Sequence, residues 1–228
     1  VGDAIMPTIS QWTNAWHGLE ATTNPFNVAF GLMVMLPAVS LGALYMINNI
    51  SNEELSKRLR KSLLVSFTGF LVIFLFVVYN LFTLEGFAVI ENGIITMQEG
   101  KYLTNIIDMP VVLVMFLIGA VLLVAGVVLT LIKQTFTRGI WPSAIGTVMA
   151  VMAIFMIAGY NGTAYYPSVA DLQSSLTLAN SCSSEFTLKT MAIVSLIIPF
   201  VVAYIAYFWH KMDKKQLTRE EMETSDKY

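Results

Sequence analysis

Apolar positions in this chain fall into long uninterrupted blocks, separated by short polar segments. Crossing the hydrocarbon core of a bilayer takes about 20 mostly apolar residues. Five stretches meet that requirement: 27–48, 62–84, 110–132, 140–159 and 190–209. The pattern predicts an all-α membrane protein whose five transmembrane helices form a bundle over 27–210. An extracytoplasmic or interfacial segment, 1–26, precedes the bundle and a tail, 211–228, follows it. Local chemistry sharpens several boundaries. Asn24 is placed to cap the first helix, and Pro25 fits its first turn without losing a backbone bond. Pro110 and Pro142 play the same starting role in the third and fourth spans. Pro37 and Pro199 fall inside their helices and predict kinks.

The polar segments carry their own signals. In 49–61, Ser51 followed by Glu54 reads as a capping box with basic residues in the next turn, a polar connector. In 85–109, Asn92-Gly93 is a turn signal between apolar runs at 87–90 and 94–97, which predicts a small hairpin. The segment before the last span holds Tyr165, Tyr166, Pro167 and a Ser/Thr-rich box, and it is long for a connector. We expect it to fold back on the ends of the bundle, with the last, kinked helix packed at the bundle's edge. Ser66 and Asn80 are candidates for hydrogen bonds across helices. Gly119, Gly126, Gly146, Ala150 and Ala153 allow helices to approach closely.

Composition strengthens the membrane reading. Hydrophobic residues make up 56% of the 228, charged residues 12%, and the mean hydropathy is +0.69; an ordinary soluble domain is about 25% charged. A net charge of -2 leaves no basic surface for a nucleic acid. Lys57, Arg58, Arg60, Lys61, Lys133 and Arg138 lie between spans on one side, with Lys211, Lys214, Lys215, Arg219 and Lys227 in the tail; Lys101 and Lys189 fall on the other side. Positive segments stay cytoplasmic, so the N-terminus is expected outside and the C-terminus in the cytoplasm. The chain begins with Val1 and its first 26 residues lack the plan of a signal peptide, so it reads as a piece of a longer protein.

No span, as delimited above, contains Asp, Glu, Lys, Arg or His. Intramembrane ionisable groups mark proton relays, ion paths and cofactor sites, so the sequence offers no catalytic, cofactor-binding or metal-binding residue. His17, beside Trp12 and Trp16, and His210, beside Trp209, lie at opposite ends of the topology and read as interfacial anchors rather than joint ligands. Methionines such as Met33, Met115 and Met156 read as gap-filling packing residues. Cys182 is the single cysteine, which excludes an internal disulfide, and it reads as a small packing residue.

With spans and loops placed, the chain resembles the C-terminal half of subunit II of cytochrome bd-type quinol oxidases. The residues carrying this are Asn24-Pro25-Phe26 before the first span; Tyr166-Pro167 after the fourth; the run Leu176 to Ser184 with Thr187-Leu188; and Ile198-Pro199 with Ala203-Tyr204 in the fifth. Cys182 stands where a small residue is usual. The resemblance implies an accessory, non-catalytic subunit of a quinol:dioxygen oxidoreductase of an aerobic respiratory chain, in the bacterial cytoplasmic (inner) membrane. Its partner would be a larger subunit I holding haems b and d and the quinol site. The family's proposed proton-path acids lie in N-terminal helices that have no counterpart here. A quinone or lipid bound in a groove of subunit II is compatible with the family, though no residue here places it. Two other readings stand beside this one: half of a secondary transporter, and the membrane anchor of another quinone-linked enzyme.

Overall fold

The computed structural model describes residues 15–16, 19–90, 93–168 and 171–212. His17, Asn92 and the tail from residue 213 lie outside the described residues. Two helical hairpins make up most of the molecule: α1 (Pro25–Asn49) with α2 (Glu53–Thr83), and α4 (Pro110–Ile132) with α5 (Ile140–Gly159). The Asn24 side chain accepts from Phe26 N–H at 2.9 Å, with Pro25 in the first turn, so α1 starts where its capping chemistry places it. Asn52, and not Ser51, caps α2 by accepting from Leu55 N–H at 3.0 Å. Because that cap sits ten residues before the apolar run, the connector is the first part of α2 itself, laced by Glu53–Lys57 and Glu54–Arg58 ion pairs one turn apart.

The α4–α5 pair is held by the absence of side chains. Cβ atoms on Gly119 would lie 2.7 Å from Ala150 N and 2.9 Å from the Gly146 carbonyl oxygen, and one on Gly126 would lie 2.6 Å from the Gly139 carbonyl oxygen. Gly119 and Gly126 are seven residues apart on α4, as are Gly139 and Gly146 at α5, so the contact repeats along one seam of each helix. At this separation Ser143 donates across the seam to Leu123 O at 3.2 Å, while Thr130 donates within α4 to Gly126 O at 2.8 Å. Between α1 and α2 the polar contact is Ser40 with Ser66, hydroxyl to hydroxyl at 2.9 Å and buried. Asn80 makes no bond to another helix: its amide turns back to Phe76 O in the preceding turn of α2, satisfied within its own helix.

Arg60 joins the two hairpins at the basic end. Its guanidinium donates to Lys133 O, Gln134 O and Phe136 O at 3.4, 2.8 and 3.3 Å, gathering carbonyls at the end of α4 and in its following turn. Replacing Arg60 with methionine keeps the aliphatic stem and removes these three bonds. We expect a loss of about 1 kcal/mol, discounted for solvent exposure, and faster proteolysis within 133–139 as the readout.

At the opposite end a small cap covers the bundle. β1 (Glu85–Val89) and β2 (Ile95–Glu99) form the expected antiparallel hairpin, with Phe87 opposite Met97, and Gly93 takes the left-handed conformation (φ 76°) that its turn requires. α3 (Lys101–Asp108) follows. The segment after α5 does fold back on this cap: Val89 N–H donates to Gly162 O at 2.7 Å, and the Gln173 amide brackets the backbone of Ile95, accepting from its N–H and donating to its carbonyl. β3 (Ala164–Tyr166) pairs with β4 (Leu176–Thr177). A capping box then closes α6 (Leu178–Ser181), with Thr177 and Asn180 exchanging side-chain bonds with each other's backbone N–H. Ser184 caps α7. The Ser/Thr-rich box is thus a chain of local caps that turns the backbone from the cap into the fifth span.

That fifth span differs from its expected form. A helix interrupted by Pro199 was expected to kink; here it breaks into α7 (Glu185–Ser195) and α8 (Ile198–Met212), with Pro199 in the first turn of the second piece. Leu196 and Ile197 donate to the carbonyls three residues back, which tightens the chain at the break, and a first-turn proline costs no helical hydrogen bond. No residue of α7 or α8 is buried. The expected packing of this helix along the edge of the bundle is therefore not observed: four helices share the apolar interior, and the fifth has its whole circumference exposed.

Candidate functional site

The polar centre of the molecule lies where α3 meets the end of α5. Lys101, Asn105 and Asp108 stand at i, i+4 and i+7, one face of α3, and all three address the turn at 157–163. Asn105 is fully buried. Its amide donates to Ile157 O at 2.8 Å and to the Thr163 hydroxyl at 2.7 Å, and its oxygen accepts from the Asn161 amide at 3.2 Å. Asn161 also donates to Asp108 at 3.1 Å. It holds φ 56°, a left-handed conformation that asparagine tolerates better than most residues, and Gly162 beside it holds φ 60°. Lys101 is 8% exposed and donates to Asn161 O at 2.8 Å. Its stem passes Gly86, where a Cβ would sit 2.6 Å from Lys101 Cβ. Asn105 thus takes up a carbonyl from the last turn of α5, and the Lys101 ammonium sits beyond that helix's negative end.

Burial pulls the Lys101 ammonium below the usual lysine range, with the charge of Asp108 opposing part of that effect. Between the lowered folded value and the ordinary 10.5, the unfolded chain holds more protons than the folded one, so this group makes stability rise with pH across that window. The neutral amine can still donate to Asn161 O. We expect the melting midpoint of the wild type to gain on that of Lys101→Gln as pH is raised from neutral toward 10.5; parallel curves would contradict the assignment.

Below the cap, between the hairpins, lies an apolar cavity of about 230 Å³ lined by Met33, Pro37, Phe70, Phe74, Phe116 and Ile154 among others. Its polar lining residue, Thr147, donates its hydroxyl back to Ser143 O, so no free polar group faces the space. An apolar hole of this kind stays dry. The haem that the resemblance associates with the complex does not fit these residues. Met33 is the only haem-ligating side chain in the cavity wall, no cation is there to meet propionates, and His210 stands exposed near the end of α8. Cys182 is exposed, with its thiol against Ala179 O. Among the described residues, no three of His, Cys, Asp and Glu come together as a metal site.

The buried polar cluster was not foreseen from the sequence, where Lys101 counted only as a positive charge on the outer side. The available signal was the i, i+4, i+7 spacing of Lys101, Asn105 and Asp108 ahead of Pro110, followed by Asn161-Gly162 just past the end of the fourth span.

The polar groups of this cluster cap helices, and the cavity between the hairpins is apolar. The chain is 24% identical to the cytochrome bd-I ubiquinol oxidase subunit 2 of Escherichia coli strain K12 over 214 residues, and equally to that of Escherichia coli O157:H7. These alignments cover 88% of this chain and 55% of each relative, so the chain spans about half the length of the curated relatives it matches. The family model for cytochrome bd terminal oxidase subunit II matches residues 2–212. With five helices long and apolar enough to cross a membrane and that match along nearly its whole length, the chain belongs to the cytochrome bd terminal oxidase subunit II family.

Proposed function

We propose that this chain is part of an accessory subunit of a bd-type quinol:dioxygen oxidoreductase in the bacterial cytoplasmic membrane. The family match over residues 2–212 carries the reading. In it, the chain scaffolds a larger subunit I, which holds the haems and oxidises quinol. One feature of the chain supports a structural role: its apolar runs hold no Asp, Glu, Lys, Arg or His. The unburied fifth span supplies the surface for subunit contact. Its aromatic residues Phe200, Tyr204, Tyr207, Phe208 and Trp209 are exposed, and aromatic side chains are enriched where subunits meet. The orientation goes with the charge: the end carrying Arg58, Arg60, Lys61 and Lys133 faces the cytoplasm, and the hairpin end faces outward. The apolar lining of the cavity between the hairpins suits the apolar tail of a quinone or lipid.

The test is extraction of the full-length protein carrying this chain from its native membrane through an affinity tag. Co-purification of a larger subunit, with haem absorbance that follows that subunit when the two are separated, is the expected result. A preparation of this protein alone that retains stoichiometric haem on its own side chains overturns the reading.

A further inference from the structure

On the outside of the α1–α2 hairpin, at the basic end, a groove runs down α2 between Arg58, Lys61, Ser62, Val65, Ser66 and Gly69, with Leu36 of α1 as its other wall. The α2 residues follow one helical face (i, i+3, i+4, i+7, i+8, i+11). The chemistry changes in order along it. Two cations and a hydroxyl stand at the mouth, and about 12 Å of wall runs from Lys61 to Gly69 at the helical rise per residue. That wall is effectively apolar, because the Ser66 hydroxyl is already engaged with Ser40 inside the hairpin. Gly69 leaves the lower end open: a Cβ there would meet only Leu36 Cδ1, at an ordinary 3.5 Å.

The cations differ in their commitments. Lys57 is paired with Glu53 and Arg58 with Glu54, whereas Lys61 has no carboxylate partner among the described residues. The neighbouring depression near Arg60 and Lys57 is a poorer anion site, because both its cations are engaged, Arg60 with three carbonyls and Lys57 with Glu53, whereas this groove keeps Lys61 free beside the paired Arg58. Where α2 passes from its charged first turns into the membrane, an unpaired ammonium with a guanidinium beside it meets the headgroup layer, and the apolar furrow below it lies at acyl-chain depth.

We propose that this groove binds one anionic phospholipid, its phosphate on Lys61 and Arg58 and one acyl chain along Val65, Gly69 and Leu36. The occupant follows from charge complementarity at the mouth together with the apolar furrow beneath: a free phosphate has no use for the furrow, and a zwitterionic lipid brings its own cation to the two already there. Each free cation near an anionic membrane surface strengthens binding about fivefold, so Lys61→Gln weakens retention by about that factor, and adding Arg58→Gln weakens it further by less than a second such factor because Glu54 already holds that guanidinium.

The experiment is native mass spectrometry of the full-length protein, in whatever complex it is extracted in, after reconstitution in bilayers of equimolar phosphatidylglycerol and phosphatidylcholine. The expected result is one retained phosphatidylglycerol, diminished in Lys61→Gln and displaced in Gly69→Leu, whose added side chain fills the furrow. Lys61 is exposed and makes no hydrogen bond within the hairpin, so its variant reports on binding without perturbing the helix pair. Equal retention of the two lipids, or phosphatidylglycerol retention unchanged in both variants, overturns the proposal. Loss of a protein partner in Gly69→Leu at constant lipid count also overturns it and assigns the groove to a subunit contact.

Discussion

Gly146→Val separates α4 from α5 and costs about 3 kcal/mol or more. The reason is what the added atoms would strike. A Cβ on Gly146 would lie 2.5 Å from the Gly119 carbonyl oxygen and nearer still to Leu123 N, and these are backbone atoms that no rotamer change moves aside. The helices must part, which breaks the Ser143 to Leu123 bond and opens the seam that Gly119, Gly126 and Gly139 keep closed. Thermal unfolding in detergent, followed by circular dichroism, is the measurement, with a fall in midpoint of roughly 10 °C expected. A matched substitution at Gly42, where a Cβ would meet nothing within 4 Å, should leave the midpoint nearly unchanged.

Asn105→Ala produces the second large effect, about 2–4 kcal/mol. The asparagine is fully buried and joins three elements, so its removal leaves Ile157 O, the Thr163 hydroxyl and the Asn161 amide short of a partner, with a small hole beside them. Buried polar groups left unpaired cost more than the bond that satisfied them contributed. Hydrogen exchange at the end of α5 and at Thr163 should accelerate, while exchange in the α1–α2 hairpin stays as in the wild type. Leu103→Ala, on the exposed side of the same short helix, is the control and should cost well under half as much.

The membrane helices were readable in the sequence because the bilayer imposes a simple requirement: enough apolar residues to cross and no unsatisfied polar groups on the way. The third and fourth spans fall at 110–132 and 140–159 as read, and the Asn24-Pro25 start and the 85–99 hairpin also follow from local chemistry. The small residues signalled a close helix contact, but not that α4 and α5 make it with each other. Three features were not legible. α2 begins at Glu53 because Asn52 out-competes Ser51 as the cap, a choice that depends on backbone geometry rather than residue type. Pro199 breaks its helix where a kink was expected, and Leu196 and Ile197 N–H donate to the carbonyls three residues back, which tightens the turn ahead of it. The buried cluster around Asn105 depends on contacts more than 50 residues apart in the chain, which no local pattern reveals.

These features share a physical sense. Polar groups are concentrated at the two ends, where they cap helices: Arg60 ties the two hairpins together on one side, and Asn105 ties α3 to the end of α5 on the other. The apolar middle is packed by glycine and aromatic contact, with Phe74 stacked on Phe116 across the hairpins. This arrangement suits a rigid support for a neighbouring subunit, and it fits the accessory role proposed for the chain.

Oxygen uptake with a quinol as electron donor tests that account most directly, measured on membranes from cells lacking the gene for this protein and from the same cells carrying the full-length gene. The account predicts that quinol-driven uptake is lost with the gene and restored with it, together with the haem absorbance of the partner subunit. Uptake and absorbance that persist without the gene, with transport of a solute lost in their place, would contradict it.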